Sequence, residues 1–186
     1  MPSMRYNERL PFFDEVFAGG IDTYVHPTGV IGVKVVTGVA ESALDPYYSS
    51  PFGQRAKNSG DLSIFLADSL ETASAEVLQS SSSGQFPANS WCLQYRYEGR
   101  ILDISLIPDE TFKREFLAAS GECKHEFSQD ARYYLTERGM TDRFDSIGWP
   151  SVEGERLVQG GFVYNWMSGV ASTLEYLRKE RLDRDI

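Results

Sequence analysis

The segment Gly53-Gln54-Arg55-Ala56-Lys57-Asn58-Ser59-Gly60 sets two cations in a glycine-bounded loop. The chain then runs through Asp61-Leu62-Ser63-Ile64-Phe65-Leu66-Ala67 into Asp68-Ser69-Leu70-Glu71-Thr72-Ala73-Ser74-Ala75-Glu76. Arg55 offers the planar donor fork that grips phosphate. Phe65 offers a ring on a short apolar run, and Glu76 a carboxylate beyond it. A charge, a ring and a carboxylate in that order suit the gripping and cleavage of a pyridine dinucleotide, whose ribosyl centre becomes cationic as the base leaves. Taken singly, Arg55 reads as an ordinary loop arginine and Glu76 as a solvated helix glutamate. Their combination is what points to a site.

The elements around them position these groups. Residues 64–67 are apolar and bounded by Gly60-Asp61 and Asp68-Ser69, which predicts a buried strand. Asp68 or Ser69 can cap the following helix. With Asp68 as the cap, Glu71 takes the third helical position, where a capping glutamate belongs. Residues 45–60 form a loop rich in Pro, Tyr, Ser and Gly, long enough to bind a ligand and expected to be solvated. Residues 21–25 and 30–37 predict a strand pair turning at His26-Pro27-Thr28-Gly29. Residues 91–97 and 100–106 predict another, turning at Glu98-Gly99. Helical patterns cover residues 108–119 and 127–138, with Asp109 and Ser128 as first-turn residues. Further strands are predicted at 146–149 and 161–164. Residues 1–20 read as an irregular or partly helical lead-in, and 80–84 as an exposed serine-rich connection. The tail, residues 167–184, carries Val170, Leu174 and Leu177 at helical spacing, a stripe that reads as core packing.

The cationic loop, strand and helix resemble the core of the RES domain family, named for an arginine, a glutamate and a serine. The matching residues are Gly53-Gln54-Arg55, then Phe65-Leu66-Ala67, then Glu71-Thr72-Ala73 and Glu76. Ile147-Gly148-Trp149-Pro150-Ser151 fits the place of the family's serine, and Gly32-Val33-Lys34-Val35 fits its opening strand. The resemblance runs from about residue 30 to about residue 165. Two positions depart from the family. Lys34 stands for an arginine and lacks its bidentate fork. Phe65 stands for a tyrosine and lacks its hydroxyl.

The resemblance implies one domain over residues 1–186, with an α+β fold and an ADP-ribosyltransferase-like split β-sheet flanked by helices. The C-terminal helix would lie at about residues 165–184. It implies a toxin that cleaves the nicotinamide–ribose bond of NAD, with water or phosphate as acceptor and NAD as substrate rather than cofactor. Glu76, Arg55 and Ser151 would be catalytic, and Lys34, Arg55, Phe65 and Ser151 would bind the dinucleotide. No metal is expected, because nicotinamide departs neutral. An antitoxin or immunity protein that closes the site is the implied partner. Protein ADP-ribosylation is the alternative outcome of the same chemistry. A non-catalytic binding module, with Lys34 and Phe65 marking a degenerate site, is the other.

Composition bounds these readings. The 186 residues suffice for a core, and 41% hydrophobic content with 13% aromatics belongs to a globular chain. A formal charge of −9 argues against a nucleic-acid partner. No apolar run reaches membrane-spanning length and the N-terminus has no signal pattern, so a cytoplasmic protein is expected. Cys92 and Cys123 form no disulfide framework, and His26 and His125 no ligand cluster. Walker, Rossmann and nucleophile-elbow motifs are missing.

Overall fold

The computed structural model describes residues 1–52, 54–78, 83–118, 124–151, 162–167 and 174–183. Gly53, residues 80–82 of the serine-rich connection, Cys123, Gly161 and residues 168–173 of the predicted terminal helix lie outside the described residues. Along the chain come α1 (Tyr6–Val16), β1 (Val25–Val36), β2 (Ser63–Ala67), α2 (Leu70–Leu78), β3 (Trp91–Asp103), α3 (Glu110–Leu117), α4 (Glu126–Glu137), β4 (Ser146–Pro150), β5 (Phe162–Met167) and β6 (Leu174–Arg181). None of the described helices is long and apolar enough to cross a membrane.

The six strands among the described residues form one mixed sheet with two arms. In the first, β1 and β3 pair antiparallel from Val25↔Leu102 to Val36↔Trp91, and β6 adds to β3 from Trp91↔Arg181 to Tyr97↔Leu174. In the second, β2, β5 and β4 run antiparallel. The arms meet through a short parallel pairing, Ile101↔Ser146 to Asp103↔Gly148, and a single β1–β2 pair, Val33↔Ala67. Gly32 explains that second contact: a Cβ there would lie 2.8 Å from Leu66 Cδ1, so only glycine lets β2 come this close. Beyond that point β1 and β2 separate. The α+β fold with a split sheet and flanking helices is the fold expected.

The predicted strands 64–67 and 146–149 and the helices 108–119 and 127–138 correspond to β2, β4, α3 and α4. Four readings of the sequence are corrected. The turn predicted at residues 26–29 lies inside β1, and the turn at Glu98-Gly99 lies inside β3. Thr28 faces Gly99 and Gly29 faces Glu98, so the two apparent turns pair with each other. Pro27 is tolerated because β1 has no partner but β3 at that end, leaving its missing N–H on an edge. Gly99 is required by packing, since a Cβ would lie 2.8 Å from both Tyr97 Oη and Asp145 Oδ2. Residues 21–24 of the first predicted strand are likewise not a strand; a 3₁₀ turn at Asp22–Tyr24 precedes β1, which begins at Val25.

The fourth correction concerns the terminal helix, whose described part is the strand β6. Leu174 is buried and Tyr176 meets Tyr95 edge-on at 5.7 Å, a two-residue spacing that competes with the helical one. The half of β3 opposite β1 offers unpaired backbone groups, and tertiary hydrogen bonding to them decides the outcome. Glu175 pairs with Arg96 at 2.6 Å, and Arg178 Nε donates to Gln94 Oε1 at 2.9 Å.

On one side of the sheet α1, α3 and α4 enclose an aromatic core that includes Phe13, Phe17, Phe112, Phe116 and Tyr134. Polar contacts latch α1 to α4: the fully buried Asp130 accepts from Ser3 N at 2.8 Å and from Arg9 Nη1 at 2.5 Å, and Tyr6 Oη donates to Glu137 Oε2 at 2.6 Å. Asp109 caps α3 by accepting from Phe112 N at 2.7 Å.

Candidate active site

Where β1 and β2 part, a cavity of about 620 Å³ opens between them. That volume is within the range of small-molecule sites. Its lining includes Lys34 from β1, Arg55 from the cationic loop, Phe65 from β2 and Glu76 from α2. The structure thus gathers four of the five candidate residues around one space. The fifth, Ser151, is buried just past β4, and its Oγ donates a hydrogen bond to Glu76 Oε1.

Each placement has a local cause. Ser69 Oγ accepts from Thr72 N at 3.1 Å, so Ser69 rather than Asp68 caps α2. That start sets Ala73, Glu76 and Val77 on one helix face, three and four residues apart, toward the cavity. On β2, Phe65 meets the buried Trp149 edge-on at 6.2 Å, and Trp149 meets Phe116 at 5.8 Å. The cavity ring is thereby braced against the aromatic core.

The loop is not solvated as expected. Arg55, Ala56 and Lys57 are all buried. Arg55 Nη2 donates to the carbonyl of Leu117 at 2.8 Å, at the C-terminal end of α3 where backbone acceptors lack helical partners. Lys57 Nζ donates to Ser49 Oγ at 3.1 Å and to the Ser50 carbonyl, fixing the strap before the loop. Arg55 therefore has a structural contact as well as a place on the cavity.

Lys34 Nζ donates to the Tyr48 carbonyl at 3.0 Å and lies 5.9 Å from the centre of the Tyr48 ring. Burial pushes its ammonium below the ordinary lysine value, against an opposing pull from Asp45, and Lys57 adds to the lowering. Lys34 and Arg55 give the cavity a cationic side, while Glu76 and Asp45 are its carboxylates.

His125 belongs to no ligand cluster in the sequence, yet it lines the cavity from the residue before α4. Its distance in sequence from the cationic loop left no signal of that. Trp149 and Tyr48 also line the cavity; Tyr48 belongs to the long loop that the sequence marked for ligand binding. His26 lies elsewhere, at the start of β1, its Nε2 3.1 Å from Asp103 Oδ2.

No family model and no curated protein matches this sequence. Among solved structures, the chain is similar to a chain of the crystal structure of the M. tuberculosis MbcT–MbcA toxin–antitoxin complex. The TM-score is 0.57 and the identity 15%, over 91% of this chain and 93% of that one. At that identity the likeness defines the fold.

Proposed function

We propose that the chain is a RES-type toxin that cleaves NAD between nicotinamide and ribose. The observation that carries this reading is the convergence of Lys34, Arg55, Phe65 and Glu76 on one cavity, with Ser151 bonded to Glu76. The fold shared with a chain of a toxin–antitoxin complex supports it from a separate direction.

In this mechanism Arg55 and Lys34 hold the pyrophosphate by charge-assisted hydrogen bonds. Lys34 would exchange its Tyr48 carbonyl for a phosphate oxygen. Phe65 stacks at the nicotinamide end. The glycosidic electron pair leaves with the pyridine nitrogen, which departs neutral, and positive charge builds on the ribosyl carbon. Glu76 stabilises that charge. Ser151 keeps the Glu76 carboxylate aimed, a role reached through the glutamate rather than through the substrate. Water or phosphate then attacks the ribosyl carbon, forming the new C–O bond, and its proton passes to solvent. Consumption of NAD would harm the producing cell, so a neutralising protein partner that closes the cavity belongs to the proposal.

A nicotinamide-release assay on the purified protein with labelled NAD tests the reading. Release with free ADP-ribose or its phosphate ester is the expected result. Label retained on protein would assign ADP-ribosylation instead. Tight binding without release would assign a degenerate site, to which Lys34 on the Tyr48 carbonyl and the missing Phe65 hydroxyl would then contribute.

A further inference from the structure

Two non-glycine residues beside the cavity adopt left-handed backbone: Ala56 with φ 55° and His125 with φ 65°. Such a conformation is unfavourable for a residue with a Cβ and persists only where its surroundings impose it. Ala56 directly follows Arg55, and His125 itself lines the cavity. One side chain joins them. The fully buried Ser128 accepts the Ala56 N–H at 3.0 Å and donates to the His125 carbonyl at 2.9 Å. A hydroxyl has one proton to give, and here it goes to one left-handed residue while the oxygen receives the other. One residue further on, Gln129 Nε2 donates to the Gln54 carbonyl at 3.2 Å. The first turn of α4 therefore grips the backbone on both sides of Arg55, while Leu117 holds the guanidinium.

We propose that Ser128 is a positioning residue for the candidate active site, holding Arg55 and His125 at the cavity by bonding the backbone beside one and the carbonyl of the other. The proposal rests on the dinucleotide reading of the cavity, and it goes further by assigning the geometry of the anion-binding side to α4, outside every motif of the resemblance.

The test compares Ser128→Ala with Ser146→Ala. Ser146 is also fully buried, with its Oγ 2.8 Å from Tyr97 Oη, and it does not line the cavity. Both variants should lose some thermal stability. Only Ser128→Ala should weaken NAD binding, by about tenfold, the worth of one hydrogen bond, with turnover at saturating NAD retained. Only Ser128→Ala should speed hydrogen exchange at the Ala56 amide. Equal NAD affinity in Ser128→Ala and the parent, or an equal loss in both variants, overturns the proposal. If the parent protein binds no NAD, the functional reading fails separately. The Ala56 amide then decides this proposal, and unchanged exchange in Ser128→Ala overturns it. Should Ser128→Ala not fold, Ser128→Cys, which fills the same space with a weak donor and acceptor, replaces it, with the same readouts and the same overturning results.

Discussion

Around Phe112 the rings of Phe12, Phe13, Phe17, Phe116 and Phe127 lie with centroids 5.4 to 6.4 Å from its own. Elsewhere in the sheet, β1 and β2 touch through one residue pair and then part around the cavity. The first region fills its space with apolar surface and gains stability from every ring buried. The second leaves strand edges apart, gathers Lys34, Arg55, Glu76 and Asp45 around the gap, and places Lys34 where burial penalises its charge. A cavity of this kind adds nothing to folding by itself, so the dense side must hold the molecule together. Trp149 joins the two, with Phe116 on one side and Phe65 on the other.

This contrast separates stability from activity, and the largest expected effect lies on the dense side. Phe112→Ala removes a fully buried ring and should cost about 3–5 kcal/mol of folding stability, read by chemical denaturation. A loss near zero would mean that the aromatic layer does not hold the fold.

Next comes Glu76→Gln, which keeps shape and removes charge. Turnover should fall by roughly 10², about 2.7 kcal/mol, while NAD binding and melting temperature stay close to the parent's. Unchanged nicotinamide release would take Glu76 out of the mechanism. A large drop in melting temperature would blur the contrast by making the glutamate structural.

Arg55→Ala sits between the two regions. NAD binding should weaken by about 1.5–3 kcal/mol, the worth of a hydrogen bond to a charged group. Because Leu117 also loses its donor, the melting temperature should fall as well. Calorimetric titration alongside a thermal scan checks both, and unaltered NAD affinity would show that the guanidinium serves α3 alone.

The smallest effect is expected at Lys34. Burial is the main cause lowering its pKa in the folded protein below the ordinary 10.5. The folded state therefore disfavours the charged form; this penalty is present below the folded pKa and disappears as pH rises toward the unfolded one. For binding the sign is opposite, since the cation is what holds phosphate. NAD affinity should decline with rising pH before an exposed lysine would lose its proton. Lys34→Arg, which stays charged, should keep its affinity through that range and bind modestly tighter. Parallel pH profiles for the two proteins would place Lys34 away from the dinucleotide.

The parts of the candidate site that were legible are those whose geometry is local. Loop, strand and helix follow one another over residues 54–76, so the order of Arg55, Phe65 and Glu76 constrains where each can point. His125 and Ser128 were not legible as site residues. His125 lines the cavity and Ser128 bonds the backbone beside Arg55 because α4 packs against the cationic loop, a contact that no local pattern encodes. The strand corrections have the same origin. Pro27, Gly29 and Gly99 are turn formers by type, but in β1 and β3 an open edge accommodates the proline and a crowded Tyr97 hydroxyl requires the glycine at 99.

By itself the sequence determined the local pieces: helix starts near Asp68-Ser69 and Asp109, the apolar run of β2, the aromatic supply of the core, and the spacing of arginine, ring and carboxylate. These depend on interactions within a few residues, which the chain makes wherever it lies. Only the tertiary structure decided that residues 174–181 become a strand, because the free edge of β3 supplies the hydrogen bonds a helix would have made internally. It alone decided that Ser151 meets Glu76, 75 residues away, and that β1 and β2 part to leave a cavity. Those outcomes depend on which edges and faces remain unsatisfied after the local pieces have formed, and that is a property of the assembled chain.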